Sequence, residues 1–347
     1  MIRTVTNRRL FALNLAVIAL ILPRMLVALD VEREDVGSFV DDLVRNYGFE
    51  PAYMQSMLGS GQTLQKILDT ISRPAEKTKA WHEYRAIFIT PKRIDAGIKF
   101  WAEHDARLER IAAESGVPAE IIAAIVGVET YYGRIQGNYR VLDALSTLAF
   151  DYPPRGKFFR SELKQLFLLA REEQLDLGTM EGSYAGAIGP PQFIPSSYRR
   201  YAVDGDDDGV RDLIGNWDDI LASVANYFVV HGWQRNQQIV AESSTESKIV
   251  VPTGRSKLKL NETVSSLADR GLSFETDLDA SAPAQLISLE GESGREYWVG
   301  FQNFYVITRY NRSAMYAMAV YQLAEALAQA KREQGHRAPS IASHYCP

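Results

Sequence analysis

The sequence predicts a mainly helical protein that carries a small β-rich insertion, and three observations support this prediction. Apolar residues recur with helical spacing from about residue 30 to residue 115. The interior of the segment 118–133 is apolar on every side, which is typical of a helix buried in a core. Short β-prone segments occupy residues 240–300. With 347 residues, 46% of them hydrophobic, the chain can bury a sizeable core.

The N-terminus has the pattern of an export signal. Three arginines within the first nine residues precede the apolar run LFALNLAVIALIL (10–22). This run is shorter than the ~20 residues that a membrane-spanning helix needs. We therefore predict that residues 1–28 lie outside the fold, as a signal peptide cleaved after Ala28 or as an uncleaved inner-membrane anchor. No cysteine follows the run, so we expect a periplasmic protein that is not a lipoprotein.

Helical periodicity then defines the elements in order. FVDDLVRNYG (39–48) spaces three apolar side chains four positions apart and ends in a glycine. AGIKFWAEHDARLERIAAESG (96–116) carries one apolar stripe and is predicted to be a single helix. The next helix is predicted to start at Pro118 and to run through Glu129 to Gly133. Further helices are predicted at 161–174, 219–232 and 314–333.

The β-rich region and its flanks set the expected domain boundaries. The predicted strands are KIVVP (248–252), KLKL (257–260), AQLISLE (284–290) and EYWVG (296–300). SSTESK (243–248) indicates the boundary of this region. The predicted organisation is a helical domain at 30–115, a core formed by 116–240 together with 296–334, a β-rich domain at 243–295 and a disordered tail at 336–347.

Charge and cysteine content exclude several classes of function. The net charge of −5 disfavours a nucleic-acid partner. The single cysteine, Cys346, can form no internal disulfide, and no cysteine cluster offers a zinc site. A thiol near the end of the chain is also a weak basis for a dimer, so we expect a monomer.

Glu129 is the first candidate functional residue. It follows eight residues without a charge, hydroxyl or amide, and on a helix it shares a face with Ile122 and Ile125. Burial beside apolar groups raises the pKa of a carboxyl, so the group stays protonated and can donate to a leaving oxygen. This is the chemistry of glycosidic bond cleavage. The alternative is a structural ion pair, for example with Arg134, and this stretch considered by itself favours that alternative.

GVETYYGRIQG (127–137) resembles the signature of the membrane-bound lytic transglycosylase B family, which cleaves bacterial cell-wall glycan. Five further segments resemble family blocks in family order: YRAIFITP (84–91), LDALSTLAFDYPPR (142–155), EGSYAGAIGPPQFIPSSYRRYAVD (181–204), SVANYFVVHGW (223–233) and NFYVITRYNRSAMYAMAV (303–320). Together they cover about residues 80 to 325. The resemblance implies a mainly α fold, in which a lysozyme-like core carrying Glu129 is joined by a helical N-terminal domain and a small β-rich domain.

The resemblance also implies roles for individual residues. It makes Glu129 the catalytic residue, places Ser183 near its carboxyl, and places Gln192 and Phe193 along the saccharide groove. The other groove residues that it implies are Tyr84, Tyr227, Tyr310, Asn311 and Tyr316. Without the resemblance, the segment around Ser183 is an ordinary turn, and each tyrosine is a half-buried core residue with a satisfied hydroxyl.

Arg155 is a predicted contact for the substrate's stem peptide. It lies in the loop DYPPRG, where a guanidinium could hold a peptide carboxylate. The family often has two adjacent basic residues here, whereas this chain has Pro154 followed by Arg155. The loss of one charge weakens the expectation of strong peptide recognition and leaves the chemistry unaffected.

The acidic segment VDGDDDGVRDLIGNWDD (203–219) predicts a calcium site. Carboxylates alternate at the start of the loop, and Gly209 occupies the sixth position, where such loops turn sharply. Gly215 stands at the twelfth position in place of glutamate, so the loop is not a standard EF-hand. The resemblance supplies Asp219 as the closing acid, with Asp218 as a second candidate. The predicted ligands are Asp204, Asp206, Asp208, Val210, Asp212 and Asp219.

Oxygen ligands at this density suit Ca²⁺ better than zinc. The alternative is a solvated acidic turn, but like charges this close repel one another unless a cation neutralises them. We therefore predict a structural Ca²⁺ and no organic cofactor.

The resemblance predicts a lytic transglycosylase, of the exo type, that cleaves the β-1,4 bond between N-acetylmuramic acid and N-acetylglucosamine in peptidoglycan glycan strands. Glu129 would act first as acid and then as base, and the product would carry a 1,6-anhydro ring. One alternative is a hydrolytic muramidase, whose second carboxylate would come from Asp143, Asp151 or Glu162. The other alternative is a non-catalytic, calcium-stabilised wall-binding protein.

Overall fold

The computed structural model describes residues 27–72, 79–245, 249 and 258–337, and it confirms a mainly helical chain with one small antiparallel sheet. The helices are α1 (Glu34–Tyr47), α2 (Pro51–Gly59), α3 (Gln65–Ile71), α4 (Trp81–Phe88), α5 (Pro91–Glu103), α6 (Asp105–Ser115), α7 (Ala119–Thr130), α8 (Val141–Asp151), α9 (Gly156–Glu172), α10 (Pro195–Tyr201), α11 (Trp217–Val230), α12 (Val264–Asp269), α13 (Gln302–Tyr310) and α14 (Ala314–Arg337). The strands are β1 (Val27–Ala28), β2 (Gln62–Thr63), β3 (Tyr139–Arg140), β4 (Glu181–Gly182), β5 (Val240–Thr245), β6 (Glu262–Thr263), β7 (Leu272–Phe274), β8 (Pro283–Gly291) and β9 (Gly294–Gly300).

Helix α7 lies at the centre of the core, as its apolar composition predicts. Every residue of 121–128 is buried, because α5, α6, α11 and α14 pack around the helix. The predicted end at Gly133 is wrong by three residues. The helix ends at Thr130, because the next three residues adopt left-handed backbone conformations that an α-helix does not contain.

The predicted single helix over 96–116 is wrong. It is divided at His104 into α5 and α6, and α5 begins as early as Pro91. His104 is buried between the rings of Phe100 and Trp217, at centroid distances of 4.6 and 4.8 Å. The apolar stripe continues through the break, so the periodicity does not show it. Along the described part of the chain no single helix is long and apolar enough to span a membrane; α6 and α7 pass that test only as a pair, bent by 116°.

The five-stranded sheet has the order β6-β8-β9-β5-β7, with antiparallel pairs throughout. It spans Val240–Gly300, so it includes residues on both sides that the prediction gave to the core. The predicted strands at 284–290 and 296–300 are confirmed as β8 and β9. The segment 257–260 contains no strand at residues 258–260, and 248–252 lies outside the described residues apart from Ile249.

The predicted boundary at 243–248 is also wrong in its first half, because residues 243–245 continue β5. The serines and threonine that indicate a linker occupy consecutive positions at the end of this strand, where half-buried and exposed side chains alternate. One face of the sheet covers a small core of its own around Leu267, Leu286 and Val299. The other face packs Ile287 and Leu289 against the main core.

Both ends of the described chain extend further into the fold than the sequence indicates. Strand β1 pairs with β2, so Val27 and Ala28 belong to the fold although they end the predicted signal segment. The rest of that segment lies outside the described residues. Helix α14 continues to Arg337, two residues into the predicted tail, and the remainder of the tail with Cys346 also lies outside the described part.

Candidate active site

Glu129 lies in the last turn of α7, where the buried helix reaches a half-buried position. Its Oε1 accepts a hydrogen bond of 2.5 Å from the hydroxyl of Tyr316, which stands 187 residues later in the chain. Tyr316 is buried in the first turn of α14, the helix that packs along α7. The packing of these two helices therefore brings together the predicted catalytic residue and one predicted groove residue.

The phenol of Tyr316 is a hydrogen-bond donor at neutral pH. Burial raises the pKa of Tyr316 well above 10, and the nearby carboxyl of Glu129 raises it further. Burial likewise raises the pKa of Tyr310 well above 10. Both phenols therefore stay protonated, and the hydroxyl of Tyr316 fixes the orientation of the Glu129 carboxyl.

An aromatic wall of Phe193, Tyr227, Tyr310 and Tyr316 extends from Glu129. Tyr310 stacks on Tyr316 with ring centroids 6.5 Å apart and an interplanar angle of 13°. Phe193 lies 5.8 Å from Tyr310 and 5.7 Å from Tyr227. The sequence blocks that contain these residues are far apart, and the fold packs the four rings into one contiguous cluster in which Phe193, Tyr227 and Tyr316 are buried.

Two of the three hydroxyls in the wall are held by the backbone. The hydroxyl of Tyr310 donates to the carbonyl of Pro191, and that of Tyr227 donates to the carbonyl of Arg309, each at 2.6 Å. Burial raises the pKa of Tyr227 to about 12. The hydroxyls of these two tyrosines thus hold the backbone of α13 and of the loop that contains Pro191, and their rings pack in or against the core.

Tyr84 and Asn311 lie at the edges of this wall. Tyr84 is buried on α4, 5.1 Å from the ring of Phe88, and it is close enough to Tyr316 to raise the pKa of that phenol slightly. Asn311 directly follows Tyr310 at the end of α13, and its carbonyl accepts a 2.7 Å hydrogen bond from the N–H of Ser313.

Ser183 and Gln192 belong to the loop between β4 and α10. The Ser183 hydroxyl accepts the N–H of Ala187 at 3.0 Å and closes a tight turn. Gln192 has a left-handed backbone with φ of 51°, and its side-chain amide donates to the carbonyls of Gln136 and Gly189 at 3.1 and 3.0 Å. Gln192 therefore ties this loop to the segment that follows Glu129.

Arg155 lies apart from the aromatic wall. It ends a short 3₁₀ turn before α9, and its guanidinium covers the rings of Phe158 and Phe159 at 4.3 and 5.0 Å. It lines a cavity of about 560 Å³ together with Lys157 and Arg160. The described contacts of Arg155 are with these rings and with the charge of Glu162, and not with the wall beside Glu129.

Three of the predicted metal ligands converge. Carboxylate oxygens of Asp204, Asp206 and Asp219 lie within 4.8 Å of one another. Asp219 is buried in the first turn of α11, where desolvation raises its pKa while it accepts the N–H groups of Gly205 and Asp212. Carboxylate oxygens are hard ligands, so this group fits a hard divalent cation.

The other predicted ligands lie in the same loop but outside this group. Asp208 accepts the N–H of Val210 at 2.8 Å, and Asp212 accepts two backbone N–H groups that follow it. Their participation stays a prediction. Asp218, the second candidate for closing the loop, instead pairs with Arg107 and Arg110 at 2.6 and 2.9 Å.

The three carboxylates that a hydrolytic alternative requires have structural partners. Asp143 accepts the N–H of Gln62 at 3.1 Å, Asp151 pairs with Arg33 at 2.6 Å, and Glu162 accepts the N–H and hydroxyl of Ser196 at 3.0 and 2.8 Å. Burial raises the pKa of Asp143 and of Glu162. Each group is thus engaged in joining helices or capping them.

The sequence did not indicate two residues that shape this site. Tyr132 is buried between Gly97 of α5 and Gly127 of α7, and a Cβ at either glycine would lie within 2.7 Å of the tyrosine. Arg93 of α5 donates a hydrogen bond to the carbonyl of Gly127. Glycines inside two helices are the signal that could have revealed Tyr132, because they mark a close approach.

A family model described as Transglycosylase SLT domain matches residues 32–325 of the chain. The chain belongs to this family of lytic transglycosylases. This chain is 41% identical over 304 residues to membrane-bound lytic murein transglycosylase B of Escherichia coli (strain K12). The match covers 84% of this chain and 82% of that protein. The resemblance carried by the six sequence segments is therefore confirmed, and the protein is a lytic transglycosylase of peptidoglycan.

Solved structures show the same architecture. Soluble lytic transglycosylase SltB1 from Pseudomonas aeruginosa superposes on this lytic transglycosylase with a TM-score of 0.80 and 48% identity, over 85% of this chain and 98% of that one. The Escherichia coli lytic transglycosylase Slt35 in complex with calcium superposes with a TM-score of 0.81 and 40% identity, over 89% and 97% of the two chains. The mainly helical fold with a small antiparallel half-barrel is thus shared with Slt35.

Proposed function

We propose that this lytic transglycosylase cleaves the β-1,4 bond between N-acetylmuramic acid and N-acetylglucosamine with Glu129 as its single catalytic acid and base. The observation that carries the proposal is the carboxyl of Glu129 at the end of a buried apolar helix, oriented by the Tyr316 hydroxyl at 2.5 Å. A positioned carboxyl in such surroundings is suited to proton transfer.

The proposed reaction proceeds by two proton transfers through the same carboxyl. Glu129 donates its proton to the glycosidic oxygen as the bond from that oxygen to C1 of the muramoyl residue breaks. The oxygen of the muramoyl C6 hydroxyl then forms a bond to C1, and its proton passes to the Glu129 carboxylate. The product is a 1,6-anhydromuramoyl end, Glu129 is again protonated, and no water is consumed. The substrate's own acetamido group stabilises the positive charge that develops at C1.

The saccharide groove in this proposal follows the aromatic wall. Pyranose faces are apolar and stack on rings, and backbone hydrogen bonds hold two of the rings of the wall, Tyr227 and Tyr310. The proposed substrate contacts are Tyr84, Arg155, Ser183, Gln192, Phe193, Tyr227, Tyr310, Asn311 and Tyr316. Arg155 is assigned to the stem peptide, because it lies apart from the wall in a cavity rich in cations.

The hydrolytic alternative requires a second carboxylate, about 5–5.5 Å or 6.5–9.5 Å from the first. The hydrogen bonds that hold Asp143, Asp151 and Glu162 to other partners disfavour that role for each of them.

We also infer that the enzyme acts from the ends of glycan strands. Exo action predicts that anhydro-disaccharide products dominate from the earliest time of digestion.

The deciding experiment is mass spectrometry of peptidoglycan digested by the purified protein. We expect anhydro-muropeptides from the unaltered protein and a rate at least about 100-fold lower from Glu129→Gln, since general acid–base catalysis contributes about 10²–10⁴-fold. Glu120→Gln, at the opposite end of α7, is the matched control and should retain full activity. Products with reducing ends would show a muramidase, and undiminished cleavage by Glu129→Gln would show that Glu129 is not the catalytic acid. Absence of any cleavage by the unaltered protein would favour the wall-binding protein.

We further propose that Asp204, Asp206 and Asp219 hold a structural Ca²⁺, with Asp208, Val210 and Asp212 as the remaining ligands of the loop. The convergence of three carboxylates supports the site, and Slt35 was solved in complex with calcium. The ion would hold the loop between α10 and α11 by neutralising charges that otherwise repel one another. The proposed reaction uses no metal.

We also propose that the protein acts in the periplasm. The charge-then-apolar pattern at residues 1–22 supports export, and the Escherichia coli relative is membrane-bound by name. Cell fractionation followed by intact-mass measurement distinguishes a cleaved signal from an uncleaved anchor. Recovery of the mature protein in the cytoplasmic fraction would contradict the proposal.

A further inference from the structure

The backbone directly after Glu129 is unusual. Tyr131, Tyr132 and Gly133 have φ values of 53°, 61° and 77°, so three consecutive residues are left-handed. Only glycine adopts this conformation without a steric penalty, and two of the three residues are tyrosines. Backbone strain of this kind persists only where the surrounding structure holds it. The side chains of the two tyrosines must therefore be fixed by their neighbours.

Tyr132 is fixed by burial, whereas Tyr131 is held mainly by Arg93, with the Arg134 guanidinium farther from its ring at 5.5 Å. The guanidinium of Arg93 lies over the ring of Tyr131 at 4.7 Å, a cation–π distance, and 5.2 Å from the ring of Phe88. The hydroxyl of Tyr131 donates to the carbonyl of Lys92 at 3.1 Å. The first turn of α5 thus holds both the ring and the hydroxyl of Tyr131.

Arg93 also contacts the chain on the other side of Glu129. One of its terminal nitrogens donates to the carbonyl of Gly127, which is one of the last four carbonyls of α7 and lacks a helical partner. A cation at a helix C-terminus also interacts favourably with the helix dipole. Arg93 therefore contacts the residue two positions before Glu129 and the residue two positions after it.

We propose that Arg93 and Tyr131 form a clamp that positions Glu129 for proton transfer. Arg93 is a positioning residue, which acts through the backbone on both sides of the glutamate, and the proposal rests on the proposed function of Glu129. The clamp fixes the direction in which the last turn of α7 presents the carboxyl to Tyr316. Without it, the strained turn relaxes and the carboxyl loses its orientation, while the aromatic wall stays in place.

The test measures the rate at which the protein cleaves a chromatographically pure glycan tetrasaccharide that carries stem peptides. Mass spectrometry quantifies the anhydro product. Arg93→Ala should lower kcat at least tenfold with a KM change below about twofold. Arg93→Lys keeps the charge without the planar fork and should recover part of kcat. Tyr131→Leu should match Arg93→Ala, and the double variant should lose little more than either single variant, because both remove one clamp. Lys99→Ala, an exposed cation on the same helix, should leave kcat unchanged.

Binding provides an independent measurement. In a Glu129→Gln background, adding Arg93→Ala should leave the dissociation constant of the tetrasaccharide within twofold, because the clamp does not contact substrate. Unchanged kcat in Arg93→Ala, a loss confined to KM, or additive losses in the double variant would each overturn the clamp. If Arg93→Ala fails to fold, Arg93→Lys and Tyr131→Leu decide the question by the same criteria. If the unaltered protein forms no anhydro product, the proposed function fails first, so the two failures are distinguishable.

Discussion

The carboxyl of Glu129 and the phenol of Tyr316 form the central contact of this lytic transglycosylase. The phenol is buried, its pKa lies well above 10, and it therefore donates to the carboxyl throughout the physiological pH range. Such a donor stabilises the carboxylate that forms once Glu129 has given up its proton. The contact thus supports the proposed intermediate as well as the orientation of the acid.

Replacing Tyr316 with phenylalanine tests this contact. A hydrogen bond to a charged group contributes about 1.5–3 kcal/mol, and each 1.36 kcal/mol corresponds to about a tenfold change in rate. We therefore expect Tyr316→Phe to release anhydro-muropeptides about 10–100-fold more slowly while its melting temperature stays near that of the unaltered protein. Tyr321→Phe, five residues later on α14, is the control. Equal rates for the two variants would mean that the hydrogen bond has no role in the reaction.

At the scale of secondary structure, α5 and α7 pack closely together, and a space between them holds one side chain, which we call the slot. Tyr132 fills the space that glycines leave on both helices. A methyl group at Gly97 would lie 2.3 Å from the Tyr132 hydroxyl and 2.5 Å from Leu327 of α14. Three helices of the core thus meet at a position where no side chain larger than hydrogen fits.

Two glycine-to-alanine changes distinguish the effect of this close packing on stability from the effect of helix propensity. Gly97→Ala should destabilise the protein by about 1–3 kcal/mol, because overpacking a core forces side chains and backbone to shift. Gly37→Ala, inside α1 with no atom within 4 Å of the new Cβ, should stabilise it by about 0.5–1 kcal/mol through helix propensity. Urea unfolding followed by circular dichroism measures both. The slot would be refuted by a Gly97→Ala variant as stable as Gly37→Ala.

At the scale of the whole molecule, one buried helix organises the elements that carry the site. Helix α14 brings Tyr316 to α7, and α11 contributes Tyr227 to the aromatic wall. The sheet docks on α4 through a hydrogen bond from the Trp81 indole to Glu296 at 3.2 Å. The acidic loop joins α10 to α11, and α11 carries Tyr227 of the aromatic wall. A cation bound in the loop would therefore stabilise the position of α11.

Metal removal tests the role of this loop. A ligand present at 100 times its dissociation constant stabilises a folded protein by about 2.7 kcal/mol. Protein stripped with a chelator should therefore gain several degrees in melting temperature when Ca²⁺ is added, measured by scanning calorimetry. Asp219→Asn should abolish the gain, whereas Asp269→Asn, an exposed acid on α12, should preserve it. An equal gain in melting temperature on adding Ca²⁺ to the stripped unaltered protein and to stripped Asp219→Asn would exclude the proposed site.

Local sequence patterns alone predicted several features of this protein. The run of apolar residues before Glu129 predicted a buried helix, and the alternating acids from Asp204 predicted a metal loop. These features depend on neighbouring residues, which a sequence displays directly. The six family segments added which distant residues belong to one site, and the structure brings Phe193, Tyr227, Tyr310 and Tyr316 together.

Other features depend on contacts between residues far apart in the chain, and only the tertiary structure decided them. The break at His104 follows from its burial beside Trp217, and the strand at 243–245 follows from pairing with Tyr297 and Phe274. The left-handed turn after Glu129 follows from the slot for Tyr132 between α5 and α7 and from the contact of Arg93 with Tyr131. Propensity and periodicity describe what a segment prefers by itself, whereas packing free energy from the rest of the fold determines where that preference is overridden.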